Sequence, residues 1–189
     1  MTPLTPLAFW FLRHGQTDWN AQNLAQGNVD IPLNATGLAQ AQEAAEQLRG
    51  RGITGIVCSP LGRARVTADI VARTLGIGIE EDPGLKEVAF GVNEGQPMLA
   101  QWFTDWIEGR FTPQGAESFP ELRERAATAV NRALTRPAPV LVVAHGALFR
   151  ALRADMGLDP NVRLANATPQ FCEPGEPAWM LTPATQLPG

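Results

Sequence analysis

The chain contains two histidines, and each closes an apolar run and precedes a glycine: Phe9-Trp10-Phe11-Leu12-Arg13-His14-Gly15 and Val140-Leu141-Val142-Val143-Ala144-His145-Gly146. Continuous apolar runs of this length read as strands buried on both faces, the kind found in parallel sheets. In open α/β sheets the carboxyl ends of parallel strands meet at one crevice. Two imidazoles ~130 residues apart in sequence can therefore belong to one site.

The stretches between these runs alternate helix with strand. Residues 35–51 place Leu38, Ala41, Ala45 and Leu48 on one helical face, with Gly50 and Gly52 closing the helix. A second strand spans 53–58, and Ser59-Pro60 offers an N-cap and a first-turn proline for a helix reaching about Leu75. A short strand over 77–80 leads into a glycine-rich loop over 82–96, of the kind that carries function. Trp102, Phe103, Trp106 and Ile107 have helical spacing within 98–108 and read as core or cleft wall. Ser118 with Glu121 forms a capping box, and Phe119, Leu122, Ala126, Ala129, Val130 and Ala133 give that helix one apolar face. After the strand 140–144, a helix is expected over 146–156, then a hairpin of weak strands over 165–172 and 178–181. This order predicts a three-layer α/β/α sandwich with a mostly parallel central sheet. One domain over residues 1–189 accommodates it, with a core of about 7–171 and a proline-rich C-terminal tail.

Composition narrows the class. A net charge of −4 argues against broad nucleic-acid or anionic-membrane binding, yet a local group of arginines can still hold a small phosphorylated metabolite. Cys58 and Cys172 are too few for a disulfide framework and read as buried thiols. The first residues lack a basic region, and 7–12 is too short for a signal core or a membrane span, so a cytoplasmic protein is expected.

The chemistry follows from Arg13 and His14. A neutral imidazole can attack phosphorus without first losing a proton, provided cations hold the phosphate in line. Arg13 and Arg63 suit that clamp, and the helix starts near Arg63 and His145 add free N–H groups that favour anions. Gly15 leaves room for a ligand to approach the backbone. A doubly protonated His145 would bond a phosphoryl oxygen, its charge kept by the neighbouring phosphate, while His14 stays neutral. A leaving alkoxide needs a proton, and Glu87, Glu94 and Glu117 are the available donors, among which spacing does not choose. Zinc chemistry has little support: no HExxH spacing occurs, and catalytic zinc usually takes three protein ligands.

These residues resemble the histidine phosphatase superfamily, also called phosphoglycerate mutase-like. The likeness runs through Leu12-Arg13-His14-Gly15-Gln16-Thr17 with Trp19-Asn20, Ser59-Pro60-Leu61-Gly62-Arg63-Ala64, Leu85-Lys86-Glu87, Glu94-Gly95 and Ala144-His145-Gly146, covering most of 7–171. The resemblance implies that His14 becomes phosphorylated, that Arg13, Arg63 and His145 bind the phosphoryl group, and that Glu87 is the proton donor. It also implies that no metal takes part, and no cofactor is expected. Asn20 matches a position lining the phosphate pocket, and Gln26 and Gly27 match substrate contacts; Gly146 adjoins them. Ala116 stands where the family has glycine, so the backbone there must tolerate a Cβ. Asn28 stands where the mutase branch usually has an aromatic residue, and that branch usually has a longer chain, which favours the phosphatase branch.

The expected function is a phosphomonoesterase working through a phosphohistidine. Alternatives are a phosphoglycerate mutase-type transfer, in which water is excluded, and a phospholigand-binding domain without turnover.

Overall fold

A computed structural model describes residues 1–98 and 100–188; Leu99, inside the helix expected over 98–108, and Gly189 lie outside the described residues. The sheet has six strands: β1 (Phe9–Arg13), β2 (Gly55–Cys58), β3 (Ile79–Glu81), β4 (Val140–Ala144), β5 (Gln170–Glu173) and β6 (Met180–Pro183). Their spatial order is β3-β2-β4-β1-β5-β6. The first four run parallel, β5 pairs antiparallel with β1, and β6 antiparallel with β5. The three-layer, mostly parallel α/β sandwich expected from the alternation is therefore the fold, with the hairpin completing one edge.

Strand alternation sorts the core into two halves. Phe9, Phe11, Val140 and Val142 face a layer that contains α5 (Phe119–Ala133) and α6 (Gly146–Asp155), through Leu122, Ala126, Leu148 and Phe149. Trp10, Leu12, Leu141 and Val143 face α2 (Ala35–Leu48) and α3 (Gly62–Leu75), through Ala44, Leu48, Ala68 and Val71. Phe11 and Phe149 stack with ring centroids 4.3 Å apart, both fully buried, so truncating either to alanine costs about 3–5 kcal/mol. Two shorter helices complete the fold: α1 (Asp18–Ala21), whose N-cap Thr17 forms a reciprocal capping box with Asn20, and α4 (Ala100–Ile107).

Several boundaries differ from expectation for local reasons. Helix α2 is capped by Asn34, whose side chain accepts the Gly37 N–H, and it ends at Leu48; Leu38 is 41% exposed, and Gly37 and Ala44 are buried instead. Helix α3 begins at Gly62, not after Ser59, because Asp30 takes the Gly62 N–H at 2.8 Å from outside the helix. Strands β2, β3, β5 and β6 begin later than expected, by as much as five residues. The loop 82–96 contains two short 3₁₀ turns, Pro83–Leu85 and Gly91–Asn93. Packing continues past residue 171 into the proline-rich tail, where Cys172 and Ala184 are buried and Arg51 donates to the Ala184 carbonyl. Both cysteines are buried thiols, and burial pushes Cys58 up to about 12.

Candidate active site

The two His-Gly steps follow directly from the adjacent strands β1 and β4. The His14 N–H donates to the Ala144 carbonyl at 3.0 Å, so the strand pairing itself sets one histidine beside the other. The ring centroids lie 5.2 Å apart with planes inclined by 58°. Beside them opens a cleft of about 270 Å³, near the low end for small-molecule sites, which typically span roughly 300–1,000 Å³. Arg13, His14, Asn20, Gln26, Gly27, Arg63, Glu87 and Gly146 all line it, so the structure gathers all but one of the expected site residues around a single cavity. His145 stands behind this wall, fully buried against His14.

Hydrogen bonds define the state of each ring. His14 Nδ1 faces the Gly15 carbonyl at 2.7 Å, and a carbonyl only accepts, so Nδ1 carries the proton and Nε2 keeps its lone pair. Burial, then the charges of Arg63 and Arg13, hold the His14 pKa well below its ordinary value, so the ring is neutral as expected. His145 Nε2 meets the Ser59 hydroxyl at 2.7 Å, while its buried Nδ1 has no hydrogen-bond partner among the described residues. Burial, then Arg63 and His14, push His145 well below the usual range too. The doubly protonated His145 of the sequence reading is thus disfavoured by the protein's own groups, and an anion's charge is the influence that would raise it.

Backbone carbonyls fix the arginines. Arg63 donates to Val29 O at 2.8 Å and Gly27 O at 2.7 Å, and Arg13 donates to Leu164 O at 2.6 Å. In both, the buried Nε has no hydrogen-bond partner among the described residues. Burial, then the nearby charge of Arg163, pulls Arg13 down to about 10, which leaves it charged at neutral pH.

The structure separates the three glutamates. Glu87 lines the cleft, with Oε2 accepting the Ala147 N–H and Oε1 the Leu148 N–H, each at 3.0 Å. Glu94 instead stitches the loop together through the Asn28 and Phe90 N–H groups, and Glu117 is paired with Arg125. Neither lines the cleft.

Two expectations about helix starts and glycine change. The first N–H groups of α6 and α3 are spent on Glu87 and Asp30, the protein's own carboxylates, so anion affinity there is partly satisfied internally. Gly15 does not line the cleft; a Cβ there would sit 2.3 Å from the Gly37 carbonyl, so its small size lets two backbones cross. Gly146 does line it, and a Cβ would come within 3.1 Å of Arg13 Nε. Ala116 is accommodated because the left-handed position next to it is Gly115, with φ 74°, and the tight approach there belongs to Gly91.

Asn20 lines the cleft while its Oδ1 accepts from the Thr17 N–H and from Asn166 Nδ2, and Gln26 is held by the Thr17 hydroxyl at 2.8 Å. Several contributors were not assigned from sequence. Ser59 partners His145, Thr67 accepts the Gly15 N–H, Asn166 donates to the His14 carbonyl, and Arg150 and Arg163 line the cleft. Arg150 was detectable, lying one helical turn beyond Gly146 on the same face. The others sit in loops or act through backbone contacts that no periodicity reveals. Among the described residues no three His, Cys, Asp or Glu side chains gather as a metal-ligand set, and no helix is long and apolar enough to cross a membrane.

A mostly parallel sheet thus carries two imidazoles and clustered guanidinium groups at its strand ends, the arrangement of an α/β protein with its site at the carboxyl ends of its strands. The family model of the histidine phosphatase superfamily (branch 1) matches residues 9–168, and the chain belongs to that superfamily. It is 37% identical to a Yersinia enterocolitica protein named probable phosphoglycerate mutase GpmB, over 92% of this chain and 88% of that protein. Among solved structures it is similar to mycobacterial hydrolase 1 (30% identity, TM-score 0.80, 93% of this chain and 96% of that one). It is also similar to the mycobacterial glucosyl-3-phosphoglycerate phosphatase in complex with VO3 (31%, TM-score 0.78, 93% and 97%).

Proposed function

We propose that this chain is a single-domain, metal-independent phosphomonoesterase that acts on a small phosphorylated metabolite through a phosphohistidine at His14. The observation that carries this reading is the 2.7 Å contact of His14 Nδ1 with the Gly15 carbonyl, which leaves Nε2 as the unprotonated nitrogen of a neutral ring on the cleft wall. Arg13, Arg63, Asn20 and the backbone around Gly27 and Gly146 hold the phosphoryl group, with Gln26 at the substrate side and His145 behind it. Nε2 attacks phosphorus, the bond from phosphorus to the ester oxygen breaks, and Glu87 gives its proton to the departing alkoxide. Water then attacks the phosphohistidine, Glu87 takes the water's proton, and the N–P bond breaks to release inorganic phosphate and restore His14.

Mutase transfer is the second reading, favoured by the 37% identity to a protein named as a phosphoglycerate mutase. The two differ in the acceptor of the phosphoryl group, water in one and a second hydroxyl of the substrate in the other. Measuring phosphate release and phosphoglycerate isomerisation on the same preparation, with and without chelator, separates them. Phosphate release that exceeds isomerisation and resists chelation is expected; rapid isomerisation with negligible release contradicts the phosphatase reading, and loss of activity restored by zinc contradicts metal independence.

A further inference from the structure

Glu117 stands outside the cleft, yet it is tied to the segment that carries Glu87. Its carboxylate pairs with Arg125 of α5 through both oxygens, Oε1 with Nε at 2.8 Å and Oε2 with Nη2 at 2.5 Å, and both side chains are partly buried. A two-point pair of this kind fixes the plane of the guanidinium as well as balancing its charge. That plane then faces main chain. Arg125 Nη1 donates to the Gly84 carbonyl at 2.9 Å and to the Lys86 carbonyl at 2.7 Å, and Nη2 makes a longer contact of 3.5 Å with the Glu87 carbonyl. All five N–H donors of the side chain are engaged.

The neighbouring contacts hold the same segment. Two turns further along α5, Arg132 pairs with Asp82, the residue that caps the 3₁₀ turn Pro83–Leu85. The Glu117 N–H donates to the Ala89 carbonyl at 2.9 Å, and Leu85 and Val88 are fully buried. The main chain from 82 to 89 is thus fixed against α5, while the Glu87 carboxylate is bonded to the first N–H groups of α6. Where that carboxylate stands depends on both ends, and a proton donor must come within about 2.6–3.2 Å of the atom it serves. Arg125 and Glu117 do not line the cleft, so they act on the reaction through what they hold. The charge of Arg125 is a separate influence, since it is among those lowering His145.

We propose that the Arg125–Glu117 pair is a positioning device for the proton donor, setting the Gly84–Glu87 main chain so that Glu87 reaches the leaving group. This inference rests on the phosphatase reading, in which Glu87 supplies that proton.

Phosphate release is measured with glycerol 3-phosphate, whose alkoxide needs a proton, and with p-nitrophenyl phosphate, whose leaving group does not. A misplacement of about 1 Å costs up to ~10²-fold, so Arg125→Met is expected to lower kcat by about 10- to 100-fold on the first and by less than about threefold on the second. Combined with Glu87→Gln, it should add no further loss. Arg125→Lys keeps the charge without the planar fork and is expected to behave like Arg125→Met. Glu117→Gln, which leaves the guanidinium but removes its carboxylate, should show the same split to a smaller degree and carries the test if Arg125→Met does not fold. Equal losses on the two substrates, losses that multiply with Glu87→Gln, or full activity of Arg125→Lys overturns the proposal. The Ala147 and Leu148 amide protons report the place of the carboxylate without turnover: in Arg125→Met, or in Glu117→Gln, their NMR resonances should move toward those of Glu87→Gln, and unmoved resonances also overturn it. If the unsubstituted protein releases phosphate from neither substrate while the amide resonances move as expected, the phosphatase reading falls and the placement of Glu87 by the pair stands.

Discussion

The Glu87 carboxylate reaches across the cleft wall to the Leu148 N–H at 3.0 Å, with the Ala147 N–H on its other oxygen. One side chain thus holds the start of α6 and lines the cleft in which, on the proposed reading, a leaving group needs a proton. Replacing Glu87 by Gln is expected to slow hydrolysis of alkyl phosphates by ~10²- to 10⁴-fold, the usual worth of general acid catalysis. The same substitution should cost far less with p-nitrophenyl phosphate, whose leaving group departs without a proton. Equal losses on the two substrates would assign Glu87 to holding α6 alone.

Among the described residues Ser59 is the sole side-chain hydrogen-bond partner of the His145 ring, at 2.7 Å, and is itself fully buried. Ser59→Ala removes that hydrogen bond while leaving the cleft lining unchanged. We expect kcat/KM to fall about tenfold, consistent with ~1–1.5 kcal/mol for one buried hydrogen bond, with a native melting curve within a few degrees. Unchanged kinetics would show that the orientation of His145 is fixed by packing.

The glycines after the two histidines do different work, and one pair of substitutions separates them. Gly15→Ala places a Cβ 2.3 Å from the Gly37 carbonyl, a backbone atom that cannot swing aside, so it should destabilise by about 1–3 kcal/mol and lower Tm by several degrees. Gly146→Ala approaches only the Arg13 side chain, at 3.1 Å, so it should reduce kcat/KM with a smaller loss of stability. Thermal melts beside substrate saturation curves check both, and the reverse pattern would contradict the packing described.

Both histidines are held below their ordinary pKa, chiefly by burial and then by Arg63. In the unfolded chain each titrates near 6.5, so below that pH the unfolded state binds more protons than the folded one. Stability should therefore fall as the pH drops below about 6.5, by up to ~1.4 kcal/mol per pH unit for each ring, and these groups should add no slope above it. The rings are close enough to titrate as a pair. Urea midpoints from pH 5 to 8 test this, and the slope below 6.5 should shrink in His145→Asn. A flat profile would mean that the rings are not buried as neutral groups.

The sheet, its layers and most of the cleft were legible because they rest on periodic signals. The runs ending at His14 and His145 are two buried parallel strands, and strands paired in register must present the residues after them side by side. Helix starts were less legible, because Asp30 and Glu87 reach helix N-termini from distant loops and no local pattern announces them. Spacing did not choose among Glu87, Glu94 and Glu117, and the family resemblance alone singled out Glu87; in the structure Glu94 is taken up by backbone N–H groups and Glu117 by Arg125. Arg163 sits in a loop without periodicity, and Ser59, which before Pro60 reads as a helix cap, instead meets His145 through a contact spanning 86 residues.

The central claim is that His14 Nε2 takes the phosphoryl group. The most direct measurement is rapid quenching of the protein with ³²P-labelled substrate, followed by acid and alkali treatment of the labelled chain and mapping of the modified residue. The account predicts an acid-labile, alkali-stable label on His14 that forms as fast as turnover and is absent from His14→Ala, which should also lose phosphate release. Full turnover by His14→Ala, or a label mapping to another residue, would contradict it.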